Sequence, residues 1–211
     1  MEIPSEPLEE VPVRARKRRW VLLILLLFTV GLMTVIWYLF YLPQRGVIRQ
    51  AKERAATKLA VEIAGAVSSF YASYDQLPID FPNADWVGTT EGKNGLIAIL
   101  TGAEGPNEKL RNHKRINYLD GFKQARSDVS GKLVFGIDDQ TDSLQPAIYD
   151  PWGQAFIVIM DTNLDGVIAD PLKSRSGLEV RGKKVLVYSI GRPNEDGTRN
   201  TDESKFLMSW R

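Results

Sequence analysis

The chain has 211 residues and a formal net charge of +1 at pH 7, with 27 Lys and Arg against 26 Asp and Glu. So balanced a charge supplies no basic field and argues against a nucleic-acid partner. There is no cysteine, which removes disulfides, Cys-ligated zinc and thiol nucleophiles, and there is one histidine, His113.

Residues 1–19 read as a tail. Its opening stretch is acidic and Pro-containing and is expected to be disordered. Its end is basic, with Arg14, Arg16, Lys17, Arg18 and Arg19. Trp20 to Leu42 follows, 23 residues without Asp, Glu, Lys, Arg or His. A helix of that length covers a hydrocarbon core of about 30 Å at about 1.5 Å per residue. The basic cluster ahead of the run favours a cytoplasmic N-terminus. Trp20, Trp37, Tyr38 and Tyr41 lie near its ends, where amphipathic aromatics prefer the membrane interface. The run is longer than the about 7–15 apolar residues of a signal peptide, and no small-x-small site follows it. An uncleaved anchor is therefore expected. The mature chain should keep Met1 or Glu2 at its start, and an intact mass beginning near residue 20 or 32 would refute this.

Residues 43–76 read as a stalk helix. Val47, Ala51, Ala55, Leu59, Ile63, Val67, Phe70 and Tyr74 are spaced by 4, 4, 4, 4, 4, 3 and 4, one face of a helical period. Arg49, Lys52, Glu53, Lys58 and Glu62 lie largely off that stripe, with Glu53 set to pair with Arg49 and Glu62 with Lys58. Pro43 is expected to kink or restart the helix, and Gln76-Leu77-Pro78 to end it, because a residue before proline avoids the α region. Leu59 to Tyr74 should pack on the chain's own domain. Val47 to Ala55 has fewer local partners and is a candidate strip for a neighbouring subunit.

Residues 77–211 form a head the size of one domain, with no repeat of about 20–50 residues. Leu77 to Glu91 reads as loop, Asn94 to Thr101 as a short helix, Gly102 to His113 as a polar connection, and Ile116 to Phe122 as an apolar patch of open type. Leu133–Ile137, Ala155–Met160 and Lys184–Ile190 are strand candidates, rich in Val, Ile, Phe or Tyr and bounded by turn residues. No connection carries a helical pattern long enough for a parallel crossover, so a small antiparallel sheet packed on the stalk is expected.

Asp161-Thr162-Asn163-Leu164-Asp165-Gly166 fits the opening of an Asp-x-Asn-x-Asp-Gly calcium loop, which makes Asp161, Asn163 and Asp165 candidate Ca²⁺ ligands. Position 12 of that loop is Leu172 instead of Glu, and a polar hairpin turn is the competing and favoured reading. Catalytic motifs are scarce. His113 sits in Asn112-His113-Lys114-Arg115 and reads as a surface histidine. No Gly-x-Ser-x-Gly, phosphate loop or His-rich motif occurs, and Gly121 and Gly131 lack a strand-turn-helix setting. Asp138, Asp139 and Asp142 read as a turn before an acid/base pair. Trp152 and Trp210 read as packing residues before a sugar platform.

Four segments together resemble the type IV pilin-like family, in particular the major pseudopilins of type II secretion systems. Asp150-Pro151-Trp152-Gly153-Gln154-Ala155-Phe156 is similar to the family's Asp-Pro-Trp-Gly-x-Pro-aromatic segment. Val187-Tyr188-Ser189-Ile190-Gly191 resembles its Tyr-Ser-Leu-Gly strand end, Ser209-Trp210 its terminal Ser-Trp, and Phe70-Tyr71 with Leu77-Pro78 its helix end. The chain departs from the family at the start of the span. Arg19-Trp20-Val21-Leu22-Leu23-Ile24 has no Gly at a cut site, and the apolar run has no Glu, so prepilin cleavage and N-methylation are not carried over. The resemblance implies Ca²⁺ binding in the loop from Arg192 to Ser204, where a shifted alignment offers Asn194, Asp196 and Asp202 as ligands; an acidic solvated loop is the alternative.

These readings give an α+β fold, a long N-terminal transmembrane-plus-stalk helix on a small antiparallel sheet, pilin-like. The expected protein is not an enzyme. It is a structural subunit of a secretion or pilus-like apparatus, single-pass in the inner membrane, with a cytoplasmic N-terminus and a periplasmic or extracellular head. Its expected partners are membrane lipid, other pseudopilin-like subunits or copies of itself, and inner-membrane secretion components. Ca²⁺ is the candidate cofactor. The alternative is a singly anchored, calcium-dependent binding or sensory ectodomain; a carboxylate-based hydrolase is a remote third.

Overall fold

The computed structural model describes residues 13–81, 83–91, 95–105, 110–139, 145–172, 178–194 and 196–210, with backbone alone for 13–19, 21 and 40–45. The acidic opening of the tail, Asn94 and Asp142 lie outside this set, as do the side chains of the basic cluster, Tyr41 and Pro43. The chain is mixed helix and antiparallel sheet, and it divides into two compact units, Met1–Arg49 and Gln50–Arg211.

Helix α1 spans Val13–Tyr74. It runs through Pro43 without ending, so of the expected kink or restart there the restart is corrected: a proline removes one N–H from the hydrogen-bond ladder but does not by itself stop a helix. Within it Leu22–Leu39, 18 residues long, is apolar enough to cross a membrane, and none of that segment is buried in protein. The expected Lys58–Glu62 pair forms at 3.4 Å, both side chains in contact with solvent. The helix ends at Tyr74, two residues before Gln76: Asp75 takes a positive φ of 53° and its N–H donates to Tyr71 O at 2.8 Å, a left-handed C-terminal cap.

In the second unit, the inward face of α1 is Ala56, Leu59, Ala60, Ile63, Ala66, Val67 and Phe70, all buried. The alanines widen the stripe read from the sequence and let the helix lie close to what it covers. That partner is a four-stranded antiparallel sheet in the order β1 (Trp86–Thr89), β6 (Ile157–Met160), β9 (Val185–Ser189), β10 (Leu207–Met208). Alternation along the two central strands divides their side chains. Val158, Met160, Val185 and Val187 join the helix cluster, together with Phe156. Ile159, Leu186 and Tyr188 face the other way, into a second cluster with Ile168, Leu172, Ile190 and Met208. The sheet is therefore covered on both faces, which is why β9 is a continuous buried apolar run and not an alternating one.

The remaining strands form three two-stranded ladders, all antiparallel: β2 (Arg126–Ser127) with β3 (Leu133–Val134), β4 (Gly136–Asp138) with β5 (Ala147–Tyr149), and β7 (Val167–Ala169) with β8 (Glu179–Arg181). Two strand expectations are corrected here. Leu133–Ile137 is two strands, not one, and neither joins the main sheet. Phe135 has φ 52° and Gly136 φ 150°, and a Cβ on Gly136 would lie 2.3 Å from Lys123 O, so the chain breaks pairing at that point and changes partner. The stretch read as loop from Leu77 to Glu91 contains β1, an edge strand too short to show a period. The short helix α2 (Leu96–Thr101) is present, with all residues from Leu96 to Leu100 buried.

Buried polar groups tie the head's parts together. Thr90, fully buried, donates from Oγ1 to Ile148 O at 2.7 Å and accepts Phe156 N–H at 2.9 Å, joining the β5 segment to the main sheet. Asn112, also fully buried, donates to Ile99 O and Ile116 O, both at 2.7 Å, and accepts Tyr74 O–H at 2.6 Å. Buried Glu104 accepts the N–H groups of Arg111 and Asn112. The polar connection from Gly102 to His113 is thus pinned to α2 and to the end of α1.

Candidate functional site

The Asp-Pro-Trp-Gly segment is a turn closed on its own carboxylate. Asp150 is fully buried; its Oδ1 accepts Trp152 N–H at 2.8 Å and Gln154 N–H at 2.9 Å, and its Oδ2 accepts Ser189 O–H at 2.6 Å. Ser189 Oγ in turn accepts Gly191 N–H at 3.0 Å. Gly153 stands at φ 71° where a Cβ would fall 2.6 Å from Leu133 O, so only glycine fits. Burial pushes the Asp150 carboxyl above the ordinary carboxylate range, opposed by the hydrogen bonds from Ser189, Gln154 and Trp152. Lys52 Nζ donates to Pro151 O at 3.3 Å, fixing the turn against α1. The two segments read separately in the sequence, Asp150–Phe156 and Val187–Gly191, are therefore one knot with a packing role.

In the loop from Arg192 to Ser204 the candidate ligands are engaged in local turns, with Asn194 and Asp196 meeting at the Thr198 hydroxyl. Asn194 Nδ2 donates to Thr198 Oγ1 at 3.0 Å. Asp196 Oδ1 accepts the N–H and O–H of Thr198, and the hydroxyl bond above all lowers its pKa. Asp202 caps the 3-10 turn Glu203–Lys205: it accepts from Ser204 N and Oγ, pairs with Lys205 at 3.0 Å, and titrates at about 2, chiefly through the Ser204 hydroxyl and Lys205. All three side chains are exposed.

The second loop, between β6 and β7, is organised differently. Asn163 and Asp165 are exposed and bond each other: Asn163 Nδ2 donates to Asp165 Oδ2 at 3.0 Å, and Asp165 N to Asn163 Oδ1 at 3.2 Å. Leu164 and Gly166 have φ 61° and 78°, as in a tight polar turn. Asp161 is different. It is 2% exposed, its Oδ2 accepts Gly166 N–H at 3.0 Å, and its Oδ1 is buried with no partner among the described residues. The ladder of β1 with β6 ends at Trp86 opposite Met160, which sets Asp85 opposite Asp161 one step beyond. Asp85 Oδ1 is likewise buried and without a partner among the described residues. Burial raises the Asp85 pKa, and the charges of Asp161 and Asp165 raise it further, against a hydrogen bond from the Ala169 backbone. Sequence reading missed Asp85, which strand pairing brings to Asp161.

Among the described residues, no three His, Asp or Glu side chains close on one point as a ready-made metal group. His113 is exposed and stacks edge-on against Tyr74 at 4.9 Å. Trp210 packs edge-on against Tyr188 at 6.0 Å instead of presenting a flat platform. Asp138 belongs to β4, and Asp139 accepts from Gln124 Nε2.

The architecture and these contacts define an α+β protein whose buried polar groups serve mainly to join segments. Comparison with models of known families, with curated proteins and with solved structures finds no match.

Proposed function

We propose that this chain is a membrane-anchored, pseudopilin-like structural subunit, acting by helix and head contacts in a secretion or pilus-like assembly. Its N-terminus is cytoplasmic and its head periplasmic or outside the cell. The observation that carries the reading is the division of labour along α1. Leu22–Leu39 is apolar and unburied, Ala56 to Phe70 is the spine of the head's core, and between them Val47 is 66% exposed and Ala51 is exposed. Small and apolar helix residues left open in this way let another helix approach closely. The knot of Asp150 with Ser189 adds support, because it gives the Asp-Pro-Trp-Gly and Tyr-Ser-x-Gly segments a shared structural reason to occur together.

Single cysteines test this in native membranes, where the chain contributes no competing thiol. Cysteine at Val47 or Ala51 is expected to crosslink to a second copy or to another small anchored subunit. Cysteine at Lys52, whose side chain turns to the Asp-Pro-Trp-Gly turn, should crosslink several-fold less. Equal silence at all three positions in cells making the full apparatus would remove the subunit reading and leave the singly anchored binding ectodomain in its place.

A further inference from the structure

We propose that Asp85 and Asp161, with Asp165 from the adjoining turn, hold a Ca²⁺ ion at the end of the main sheet. Two observations independent of the loop's sequence carry this. The strand register sets two carboxylates opposite each other, an arrangement that is destabilising for like charges unless something lies between them. Each carboxylate also keeps one oxygen buried without a donor among the described residues, and Asp161 is almost wholly withdrawn from solvent. A buried carboxylate oxygen without a partner is expensive, and pairing with a cation is the usual remedy. No Lys or Arg side chain among the described residues is bonded to either of these two oxygens.

The donor set selects the ion. Every candidate ligand is an oxygen, with neither His nor Cys at hand, which suits a hard cation and not zinc or copper. Ca²⁺ accepts irregular geometry and completes its shell with backbone oxygens and water, whereas Mg²⁺ demands a near-ideal octahedron. Asp85 and Asp161 are positioned by paired strands and form the fixed half of the site. Asp165 lies in an exposed turn, where its bonds to Asn163 and to Val167 N–H can be exchanged for the ion. A site with two fixed carboxylates belongs to the weak class, with a Kd of about 10⁻⁴–10⁻³ M, the range of extracellular modules.

The full chain in detergent micelles tests the proposal with Tb³⁺ as the luminescent probe and Ca²⁺ as competitor. Trp86 adjoins Asp85 and should sensitise Tb³⁺ emission. Emission should fall several-fold in Trp86→Phe, vanish in Asp85→Asn and Asp161→Asn, and be displaced by millimolar Ca²⁺. In parallel, Ca²⁺ should raise the Tm of the unmodified chain by several degrees over EDTA, because it binds only the folded head. Asp161→Asn should melt in EDTA no lower than the unmodified chain, since it relieves the facing charges, and should gain nothing from Ca²⁺. The double variant Asp196→Asn/Asp202→Asn should retain the full calcium response. A response lost in that double variant but kept in Asp161→Asn would place the ion in the Arg192–Ser204 loop and overturn the proposal. No response in any form would overturn it too, and would leave Asp85 and Asp161 sharing a proton.

Discussion

Replacing Phe70 with alanine should cost the head about 3–5 kcal/mol of folding stability, the range for deleting a fully buried aromatic side chain. Phe70 is completely buried on the inward face of α1. Its ring lies 4.6 Å from that of Tyr74 and 5.7 Å from that of Tyr118, centroid to centroid, at tilted and edge-on angles that add attraction beyond area burial. The neighbours come from α1, α2, the Tyr118 turn and the main sheet, so they cannot collapse into the void without moving several elements. Val61→Ala is the control: Val61 lies on the same helix, 50% exposed, and its loss should cost under about 0.5 kcal/mol. Urea unfolding of a fragment starting at Gln44 measures both. A loss under about 1 kcal/mol for Phe70→Ala would show that this stripe does not support the core in solution.

Asp150→Ala should be about as damaging, roughly 3–5 kcal/mol, for a different reason. It removes no large apolar volume. It strands two backbone N–H groups and the Ser189 hydroxyl in a site closed to water. Asp150→Asn should cost much less, since its amide oxygen can accept both N–H groups and its NH₂ can donate to Ser189. The pair also predicts a pH dependence. Burial raises the folded Asp150 pKa above its ordinary 3.8, so the folded state holds the proton more tightly than the unfolded chain. The stability this contributes is complete below the unfolded value and is lost as pH rises through the raised folded value. The advantage of the unmodified chain over Asp150→Asn should therefore be largest in acid and shrink toward neutrality. An advantage growing with pH would show that the three donors outweigh burial and hold the carboxylate ionised.

The strongly apolar elements of this fold were legible in the sequence; the mixed-composition short strands were not. The α1 stripe could be read because its helical period repeats over many residues, and the central strands β6 and β9 because they are Val- and Ile-rich apolar runs bounded by turn residues. The strand β1 could not, since Trp86–Thr89 offers four residues with burial on neither face complete. The break at Phe135 was hidden because a non-glycine residue at positive φ leaves no compositional sign. At the candidate sites, alternating Asp and Asn suggested the Asp161 loop. The partner Asp85 could not be found by spacing, because it is brought there by the pairing of β1 with β6. The reading of Arg192–Ser204 rested on the family resemblance and a shifted alignment; the side chains of Asn194, Asp196 and Asp202 bond within local turns there.

The strand order of the main sheet also sets a timetable for biosynthesis. The apolar face of α1 is made before the strands that cover it, β6 and β9, and β10 follows later than both. At translation rates of roughly 5–20 residues per second, Phe70 waits on the order of ten seconds for Val187. Contacts of such sequence separation also close slowly once the chain is complete. During that interval Leu59, Ile63, Val67 and Phe70 are an exposed adhesive strip on a nascent chain. A truncation anywhere before Val185 should therefore yield a product that aggregates or is degraded, not a smaller working head.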